Sequence, residues 1–474
     1  MKKYYIALFF ICVACTIPYI KSDLFINQYD DTYITYRYAI NFAEGNGLVF
    51  NAGERTDAAS SFLYTMLLSF FYAIGFKNLE IVASVVGFIS LYTSALYTYK
   101  FSIELSSSKI TAFIFSSLLV INGFYSGWAL SGMESTLFAA LTVISLFYII
   151  TAPLSVCAFI FVVLSSLTRF EGIFILLPYL MVYYTNGKPR RMLIQAMLAM
   201  FIFLFFYEIK FLYYNVFISH AYEMKKIASY YRSNPIYLIK LWCVFVSGVV
   251  LLALFTMIRK KYFCVLLYFI SVYVVLLLGP YSDWGRYSIF LLPIVYAFAA
   301  PSFDFIYTNS CSCKKVYILI PLLLSMVLVY QSILGYKYNY LNMKDLSVHQ
   351  ECRRKLGDFI NAEIDSGSII ISSDIGAIAY VAKNNKFVDL MGLTSYDVLN
   401  NYKIGKNFDD ILLNKGVCYV ADTNVDGNYF ERFLSSFGIT NKKINYNISL
   451  EPLYLCSVKK ELVFSVNKVL RTPQ

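Results

Sequence analysis

The sequence carries little charge for its length. Asp, Glu, Lys and Arg make up 15% of the 474 residues, whereas hydrophobic residues make up 59%. Soluble domains carry about 25% charged residues, so this composition excludes an ordinary soluble globular protein. The net charge of +11 comes largely from short basic clusters between apolar runs, where such residues orient membrane proteins. No basic stripe or nucleic-acid-binding motif is present, which argues against nucleic acid as a partner.

Common catalytic signatures are also missing. The chain has two histidines and contains no G-x-x-x-x-G-K-[ST], G-x-S-x-G or H-E-x-x-H motif. Nucleotide hydrolysis and serine or zinc hydrolysis are therefore disfavoured, and no zinc site is predicted. Ten cysteines are present, several of them within apolar runs. Cys352, Cys418 and Cys456 fall in the C-terminal region, where an extracytoplasmic location would allow one disulfide and leave one free thiol.

Long apolar runs dominate the first 336 residues. A bilayer-spanning helix needs about 20 mostly apolar residues, with a range of roughly 17–25. Eleven segments are candidates: 4–20, 80–99, 109–124, 134–150, 152–168, 171–186, 192–214, 236–257, 262–279, 287–306 and 316–335. The first follows a basic Met-Lys-Lys start and lacks a small-x-small cleavage site, which indicates an uncleaved signal anchor.

One further apolar run, 59–76, is assigned by charge. If it lies along the membrane, the basic clusters at 187–191, 259–261 and 313–315 fall on the side of the N-terminal Met-Lys-Lys. Counting it as a span would put all three clusters outside, against the positive-inside tendency. The sequence therefore predicts a cytoplasmic N-terminus, a juxtamembrane helix at 59–76 and an extracytoplasmic C-terminus.

Two domains follow from this topology. Residues 1–336 form a membrane domain with a first outer loop at 21–79, and residues 337–474 form an extracytoplasmic domain. The tail alternates helix-like "ECRRKLGDFINAEI" with strand-like "SIIISS", "VCYVAD" and "YLCSVK", which is typical of a small α/β domain. The outer face is expected to gather 21–79, 122–136, 169–171, 215–235 and 279–287.

An acidic pair opens the first outer loop, in "NQYDDTYITYRYAINFAEGNG" (27–47). Asp30 can cap a helix that runs from about Asp31 to Glu44. A carboxylate beside a bilayer is also suited to general-base work, taking a proton from an attacking hydroxyl. Arg37 shares the helix face of Asp30. The spacing leaves both roles of Asp30 open.

Two motifs place charge at the outer ends of spans. Glu134 lies in "SGMES", and Arg169 and Glu171 lie in "LTRFEG". Charged groups at membrane depth are costly and often functional. An interfacial marker for Glu134, and an internal ion pair or snorkelling Arg for the other two, are the structural alternatives.

Two more motifs suggest an anionic ligand on the outer face. Asp283 and Arg286 lie in "YSDWGRYSIFLLP", where Arg could bind phosphate oxygens through its planar fork or anchor the chain at the interface. Lys225 lies in "HAYEMKKIASYYR", whose basic residues breach the positive-inside tendency locally. Outer-face acid–base chemistry on an anionic substrate remains as the favoured function.

These motifs, in order, resemble bacterial GT-C glycosyltransferases. The segments that carry the resemblance are "DDTYITYRYAINFAEGNGLVFNAGE", "SGMESTLFAAL", "LTRFEGIFILLP", "DWGRYSIFLLPI" and "SSDIGAIAYVAKNNKFVDLMGLTS". The chain is similar to terminal arabinofuranosyltransferase-like proteins and, more distantly, to lipid A aminoarabinose transferases and protein O-mannosyltransferases. The resemblance implies an α-helical polytopic GT-C membrane protein with about eleven transmembrane helices and a C-terminal extracytoplasmic α/β domain.

The resemblance also implies roles for individual residues. Asp30 matches the family's general base, with Asp31 as its acidic neighbour, and Asp374 would face the acceptor. Phe170 departs from the usual Arg-Pro-Glu-Gly pattern, and the altered "TDAASS" leaves the identity of the sugar open. The predicted substrate- and phosphate-binding residues are Arg37, Glu134, Arg169, Glu171, Lys225, Asp283, Arg286 and Asp374. Some relatives bind a divalent cation near the aspartates, so the resemblance leaves a divalent cation open as a cofactor and implies no other.

The implied reaction is inverting transfer of one sugar from a polyprenyl phosphate to a cell-surface glycan or glycolipid, of O-antigen or lipopolysaccharide type or similar. It would take place on the outer face of the cytoplasmic membrane, with the lipid bilayer as a further partner. A multi-pass transporter or flippase is the main alternative, because intramembrane Arg and Glu suit a substrate pathway, although no inverted repeat is evident. An O-antigen-polymerase-like enzyme and a non-catalytic assembly protein are further alternatives.

Overall fold

The computed structural model describes residues 1–227, 235–278, 285–312, 319–403, 419–425, 448–459 and 462–471. Two residues singled out by the sequence, Asp283 and Cys418, lie outside these ranges. Up to residue 227 the helices are α1 (Lys2–Lys21), α2 (Asp30–Ala43), α3 (Phe62–Ala73), α4 (Leu79–Glu104), α5 (Lys109–Ile121), α6 (Gly123–Ser126), α7 (Ser135–Thr151), α8 (Val156–Thr168), α9 (Leu176–Thr185), α10 (Arg190–Tyr214) and α11 (His220–Ile227). The later helices are α12 (Pro235–Met257), α13 (Phe263–Leu278), α14 (Leu292–Ser312), α15 (Leu319–Glu363), α16 (Ile375–Val381) and α17 (Tyr396–Lys403).

Within the described residues, each predicted span overlaps at least one of these helices. Within the described ranges, five helices are long and apolar enough to cross a membrane: Lys2–Lys21, Leu79–Glu104, Arg190–Tyr214, Ile239–Met257 and Ile289–Asn309. Shorter apolar helices accompany them, and together they form a large buried apolar cluster. The protein is therefore a polytopic helical membrane protein, while the full count of eleven crossings stays a prediction.

The run 59–76 contains α3, a helix of 12 residues. At 1.5 Å rise per residue it is about 18 Å long, well short of the roughly 30 Å hydrocarbon core. It packs along α2, the helix of the first outer loop. Helices α5 and α8, which lie in predicted spans, have only 13 residues each, so length does not distinguish α3 from them and its juxtamembrane position stays a prediction.

The C-terminal unit contains a five-stranded sheet. The strands are β1 (Ile369–Ser372), β2 (Lys386–Asp389), β3 (Tyr419–Val425), β4 (Ile448–Lys459) and β5 (Leu462–Arg471). Their order is β2-β1-β3-β5-β4, with β1 parallel to both neighbours and the other pairs antiparallel. The predicted strand-like segments thus form strands. The predicted boundary at 336 falls inside α15, which runs unbroken for 45 residues from the apolar bundle into this unit.

Helix α2 lies between the membrane helices and the C-terminal unit. All residues from Thr32 to Ile40 are buried, which is the pattern of a helix enclosed on every side. Ile34 and Tyr38 pack in one apolar cluster with residues of α15 and α16, while Tyr33 and Tyr36 pack in another with residues of α3 and α4. The N-terminal end of α2, with Asp30 and Asp31, is therefore held at the junction of the two parts.

Candidate active site

The carboxylate of Asp30 does not cap its own helix. α2 begins at Asp30 and has no side-chain cap. Instead, the N–H groups of Gly376 and Ala377 donate to the two carboxylate oxygens of Asp30, at 3.2 and 3.0 Å. These are first-turn amides of α16, which a capping side chain commonly satisfies. Of the two roles that the sequence left open for Asp30, capping of α2 is not observed, because the Asp30 carboxylate binds the first turn of α16.

Two side chains of α15 complete the surroundings of Asp30. The Gln350 amide, oriented by its hydrogen-bonding partners, lies 3.1 Å from Asp30 Oδ1. Arg353 Nε lies 3.9 Å from the same oxygen, and Arg353 Nη2 binds Asp374 at 3.1 Å. The Asp30 side chain is 20% exposed. Burial raises the pKa of Asp30 above its ordinary value, Arg353 opposes this, and the negative charge of Asp374 adds to the rise.

Asp31 faces a different set of partners. Arg286 Nη2 donates to Asp31 Oδ2 at 2.7 Å, and the Asp31 side chain is 33% exposed. Burial would raise the pKa of Asp31, but Arg286 and Lys225 outweigh it and bring that pKa below its ordinary value. Two adjacent carboxyls whose surroundings move their pKa values in opposite directions are suited to different roles.

Three cations surround the ring of Tyr287, a residue that the sequence did not single out. Its hydroxyl accepts hydrogen bonds from Arg286 Nη2 at 2.7 Å and from Lys225 Nζ at 3.3 Å. The guanidinium of Arg169 lies 4.9 Å from the ring centroid. Lys225 and Arg286 were predicted from separate motifs, and the structure brings them together. This Tyr287 cluster brings three cationic side chains to one ring, two of which also pair with carboxylates, and such side chains are common ligands for anions.

Glu134, Arg169 and Glu171 form one ion-pair cluster. Arg169 Nη1 lies 2.8 Å from Glu134 Oε1, and the same guanidinium binds both oxygens of Glu171, at 2.9 and 3.3 Å. All three side chains are less than a tenth exposed. The structure thus shows the internal ion pair that the sequence left open as one explanation for Arg169 and Glu171.

Arg37 joins α2 to the C-terminal unit. Its guanidinium donates to the backbone carbonyls of Phe50, Ala379 and Asn385 at 2.8, 2.5 and 2.8 Å. It lies between the rings of Phe50 and Phe387, with centroid distances of 4.7 and 5.3 Å. Burial lowers the pKa of Arg37 to about 9. These contacts are structural, so the predicted phosphate contact of Arg37 is not carried further.

The carboxylates near Asp30 are paired with arginines. Asp30 and Asp374 share Arg353, and Asp31 binds Arg286. In the described part of the chain, no group of three or more His, Cys, Asp or Glu side chains is placed to hold a metal ion. Asp283 lies outside the described residues, and a divalent cation at the aspartates stays an expectation of the resemblance alone.

Two cavities meet beside the Tyr287 cluster. The first, of about 300 Å³, is lined mainly by apolar side chains of the first outer loop, the end of α8 and α10. The second, of about 380 Å³, includes Lys225 and Tyr287 in its wall. Both are lined by Ala59, Ser60, Arg169, Phe170, Tyr207 and Lys210. Phe170, the departure from the family pattern, is 51% exposed and lies on this shared wall.

The sequence analysis did not predict a buried ion pair that lies at this shared wall. Lys210 Nζ lies 2.8 Å from Asp57 Oδ2. The N–H of Asp57 donates to His220 Nδ1, and the N–H of His220 donates to the Asp57 carbonyl, both at 3.0 Å. A lysine inside the apolar run 192–214 was the available signal, because a charge within a span is costly and often functional.

The protein combines a helical membrane bundle with a C-terminal α/β unit that packs against helix α2. This arrangement is the GT-C fold, as the sequence predicted. The chain is similar to ArnT from Cupriavidus metallidurans bound to undecaprenyl phosphate, with a TM-score of 0.58, 13% identity and 99% of each chain covered. It is also similar to apo ArnT from the same organism, with a TM-score of 0.57, 12% identity and coverage of 94% of this chain and 95% of ArnT. Residues 342–454 match a family described as Domain of unknown function (DUF8728). No curated protein has a sequence that matches this chain.

Gly376→Ala is expected to separate Asp30 from α16. A Cβ at Gly376 would overlap the backbone oxygen and carboxylate of Asp30, and overpacking of this kind costs about 1–3 kcal/mol. We expect lower thermal stability and faster hydrogen exchange at the Ala377 amide, measured by mass spectrometry. Gly367→Ala is the control, because a Cβ there meets no atom within 4 Å and only its positive φ is strained. Unchanged exchange at Ala377 would contradict the contact.

Proposed function

We propose that this protein is a membrane glycosyltransferase that transfers one sugar from a polyprenyl phosphate to a hydroxyl of a glycan or glycolipid. The observation that carries the proposal is the meeting of an aspartate pair with the Tyr287 cluster beside two adjoining cavities. The fold supports it, since the similar ArnT structure holds undecaprenyl phosphate. The sugar is left open, and O-antigen- or lipopolysaccharide-type acceptors remain the class expected from the resemblance.

The cavities suit the two ends of such a donor. The apolar cavity of about 300 Å³ would take the part of the prenyl chain nearest the phosphate. The phosphate would lie at Tyr287, where Arg286 and Lys225 supply charge-assisted hydrogen bonds. As the sugar–phosphate bond breaks, negative charge grows on the departing phosphate. Cations already in place stabilise that charge without reorganisation.

Inversion separates the roles of the two aspartates. The base must lie on the face of the sugar opposite the leaving phosphate, and inverting glycosidases keep their two carboxyls about 6.5–9.5 Å apart for a similar reason. Asp31 touches Arg286 and so lies on the phosphate side. Asp30 faces Arg353 and α16 instead. We therefore assign Asp30 as the base and Asp31 as the residue that orients Arg286.

The proposed step balances in atoms and charge. The acceptor hydroxyl gives its proton to Asp30 while its oxygen bonds to the anomeric carbon. The bond between that carbon and the phosphate oxygen breaks, and its electron pair leaves with polyprenyl phosphate. Asp374 shares Arg353 with Asp30 and is proposed to contact the acceptor. Asp283 lies outside the described residues, and its proposed role in substrate binding rests on the sequence motif alone.

Two observations support an extracytoplasmic site. Cys352, on α15, is disulfide-bonded, and disulfides persist in oxidising compartments. The pairs Asp31–Arg286 and Arg169–Glu134 both join segments expected on the outer face, and Lys210, near the end of the predicted span 192–214, pairs with Asp57 of the first outer loop. Contact between these segments supports the proposal that they share one side of the membrane. The cytoplasmic membrane with the C-terminal unit outside is the proposed location.

Arg286→Gln is expected to lower sugar transfer by about 10²–10³-fold, the effect of removing one donor to a developing oxyanion. The assay follows radiolabelled sugar from undecaprenyl-phosphate-linked donors into glycan in membrane vesicles. Arg286→Lys should keep part of the rate, because charge remains but the planar fork is lost. Lys226→Gln, which alters an exposed neighbour of Lys225, is the control.

The same assay separates the alternatives. Addition of one sugar per event supports the proposal, whereas addition of a whole oligosaccharide would indicate a polymerase-like enzyme. Sugar that crosses the vesicle membrane without forming a covalent product would indicate a transporter. Full activity of Arg286→Gln would remove the Tyr287 cluster as the phosphate site.

A further inference from the structure

The ion pair of Lys210 and Asp57 lies where the two cavities join. Lys210 projects from α10 and lines both cavities, and Asp57 lines the apolar one. The Lys210 side chain is 19% exposed, whereas that of Asp57 is 1% exposed. The cation is thus the more exposed partner of the pair, whereas the side chain of its counter-ion is almost fully buried.

The two partners differ in their freedom to move. The segment of Asp57 is held by two hydrogen bonds with His220, at the start of α11: the Asp57 N–H donates to the ring nitrogen Nδ1, and the His220 N–H donates to the Asp57 carbonyl. Lys210 carries a compact charge on a flexible four-carbon stem. A competing anion in the cavities could therefore draw the ammonium away, while Asp57 stays in place.

A second cation on the shared wall is less available. Arg169 binds two carboxylates at the same time. Its Nη1 binds Glu134, and its Nε and Nη2 bind Glu171. Lys210 is paired with a single carboxylate. Because Lys210 has fewer carboxylate contacts to break than Arg169, an anion between the cavities would bind Lys210 more readily.

We infer that Lys210 also binds the donor phosphate, in the cavity whose wall it shares with Lys225 and Tyr287, by exchanging Asp57 for that phosphate. The inference rests on the proposed function, and it makes Asp57 a positioning residue that holds Lys210 between turnovers. When Lys210 moves to the phosphate, Asp57 is left buried without its cation. Burial already raises the pKa of Asp57 above its ordinary value, against the opposing effect of Lys210. Asp57 then takes up one proton from solvent, which removes the buried charge.

Exchange and a purely structural ion pair predict different outcomes for the two partners. Lys210→Gln removes the cation and should weaken undecaprenyl phosphate binding about tenfold or more. Asp57→Asn keeps an oxygen for Lys210 but removes the competing charge, so binding should become several-fold tighter. A structural pair predicts that both changes act in the same direction, since each breaks the same contact.

The experiment measures dissociation constants of the purified full-length protein in nanodiscs, by native mass spectrometry. Undecaprenyl phosphate is the probe, undecaprenol is the uncharged control, and Lys226→Gln is the control variant. Lys210→Arg should restore binding, because the positive charge is kept. Weakening by both Lys210→Gln and Asp57→Asn, or binding unchanged in both, would overturn the exchange. A wild type that prefers undecaprenyl phosphate no more than undecaprenol would instead count against the proposed function itself.

Discussion

Asp30→Asn is expected to lower sugar transfer by about 10²–10⁴-fold, the usual contribution of a general base. The amide cannot take a proton from the acceptor, yet its oxygen can still accept an N–H of α16. The chain should therefore fold, with little change in thermal unfolding. Initial rates of glycan labelling measure the loss. Asp358→Asn, an exposed aspartate on α15, is the matched control and should retain wild-type rates.

The pH dependence of transfer tests the same assignment independently. The base acts when deprotonated, so kcat/KM should fall as pH drops through the pKa of Asp30. Burial raises that pKa, with Asp374 contributing, so the fall should begin above the range of an ordinary aspartate. Asp374→Asn removes a neighbouring negative charge and should move the fall to lower pH. An acidic limb that does not move, or that moves upward, speaks against Asp30 as the base.

Arg169→Gln is expected to cost about 3–5 kcal/mol of stability, because it leaves Glu134 and Glu171 buried without their cation. Both carboxylates bind Arg169 directly, at 2.8 and 2.9 Å. The measurements are the amount of protein in membranes and thermal unfolding after purification. Arg190→Gln, which changes an exposed arginine at the start of α10, should be neutral.

A triple variant separates folding from function at this cluster. Replacing Glu134, Arg169 and Glu171 together by Gln removes the uncompensated charges and should recover most of the lost stability. If Arg169→Gln instead folds like the wild type and loses only activity, the cluster is a substrate site rather than a structural one.

The membrane architecture follows from local properties of the sequence. Apolar runs of about 20 residues are read from composition and length alone, and within the described residues each predicted span overlaps at least one helix. The basic clusters between the runs then predict which connections share a side. That reasoning placed Asp31, Lys225 and Arg286 on one face, and the structure joins them around Tyr287.

The partners of these charged groups were decided only by the tertiary structure. The amide that Asp30 accepts from Gly376 lies 346 residues along the chain, and the carbonyl that binds Arg37 lies 342 residues away. Spacing along one helix specifies a shared face but not what packs against it. Whether Asp30 caps α2 or α16 depends on where α15 and α16 dock. The buried pair of Asp57 and Lys210 likewise exists only because α10 packs against the first outer loop.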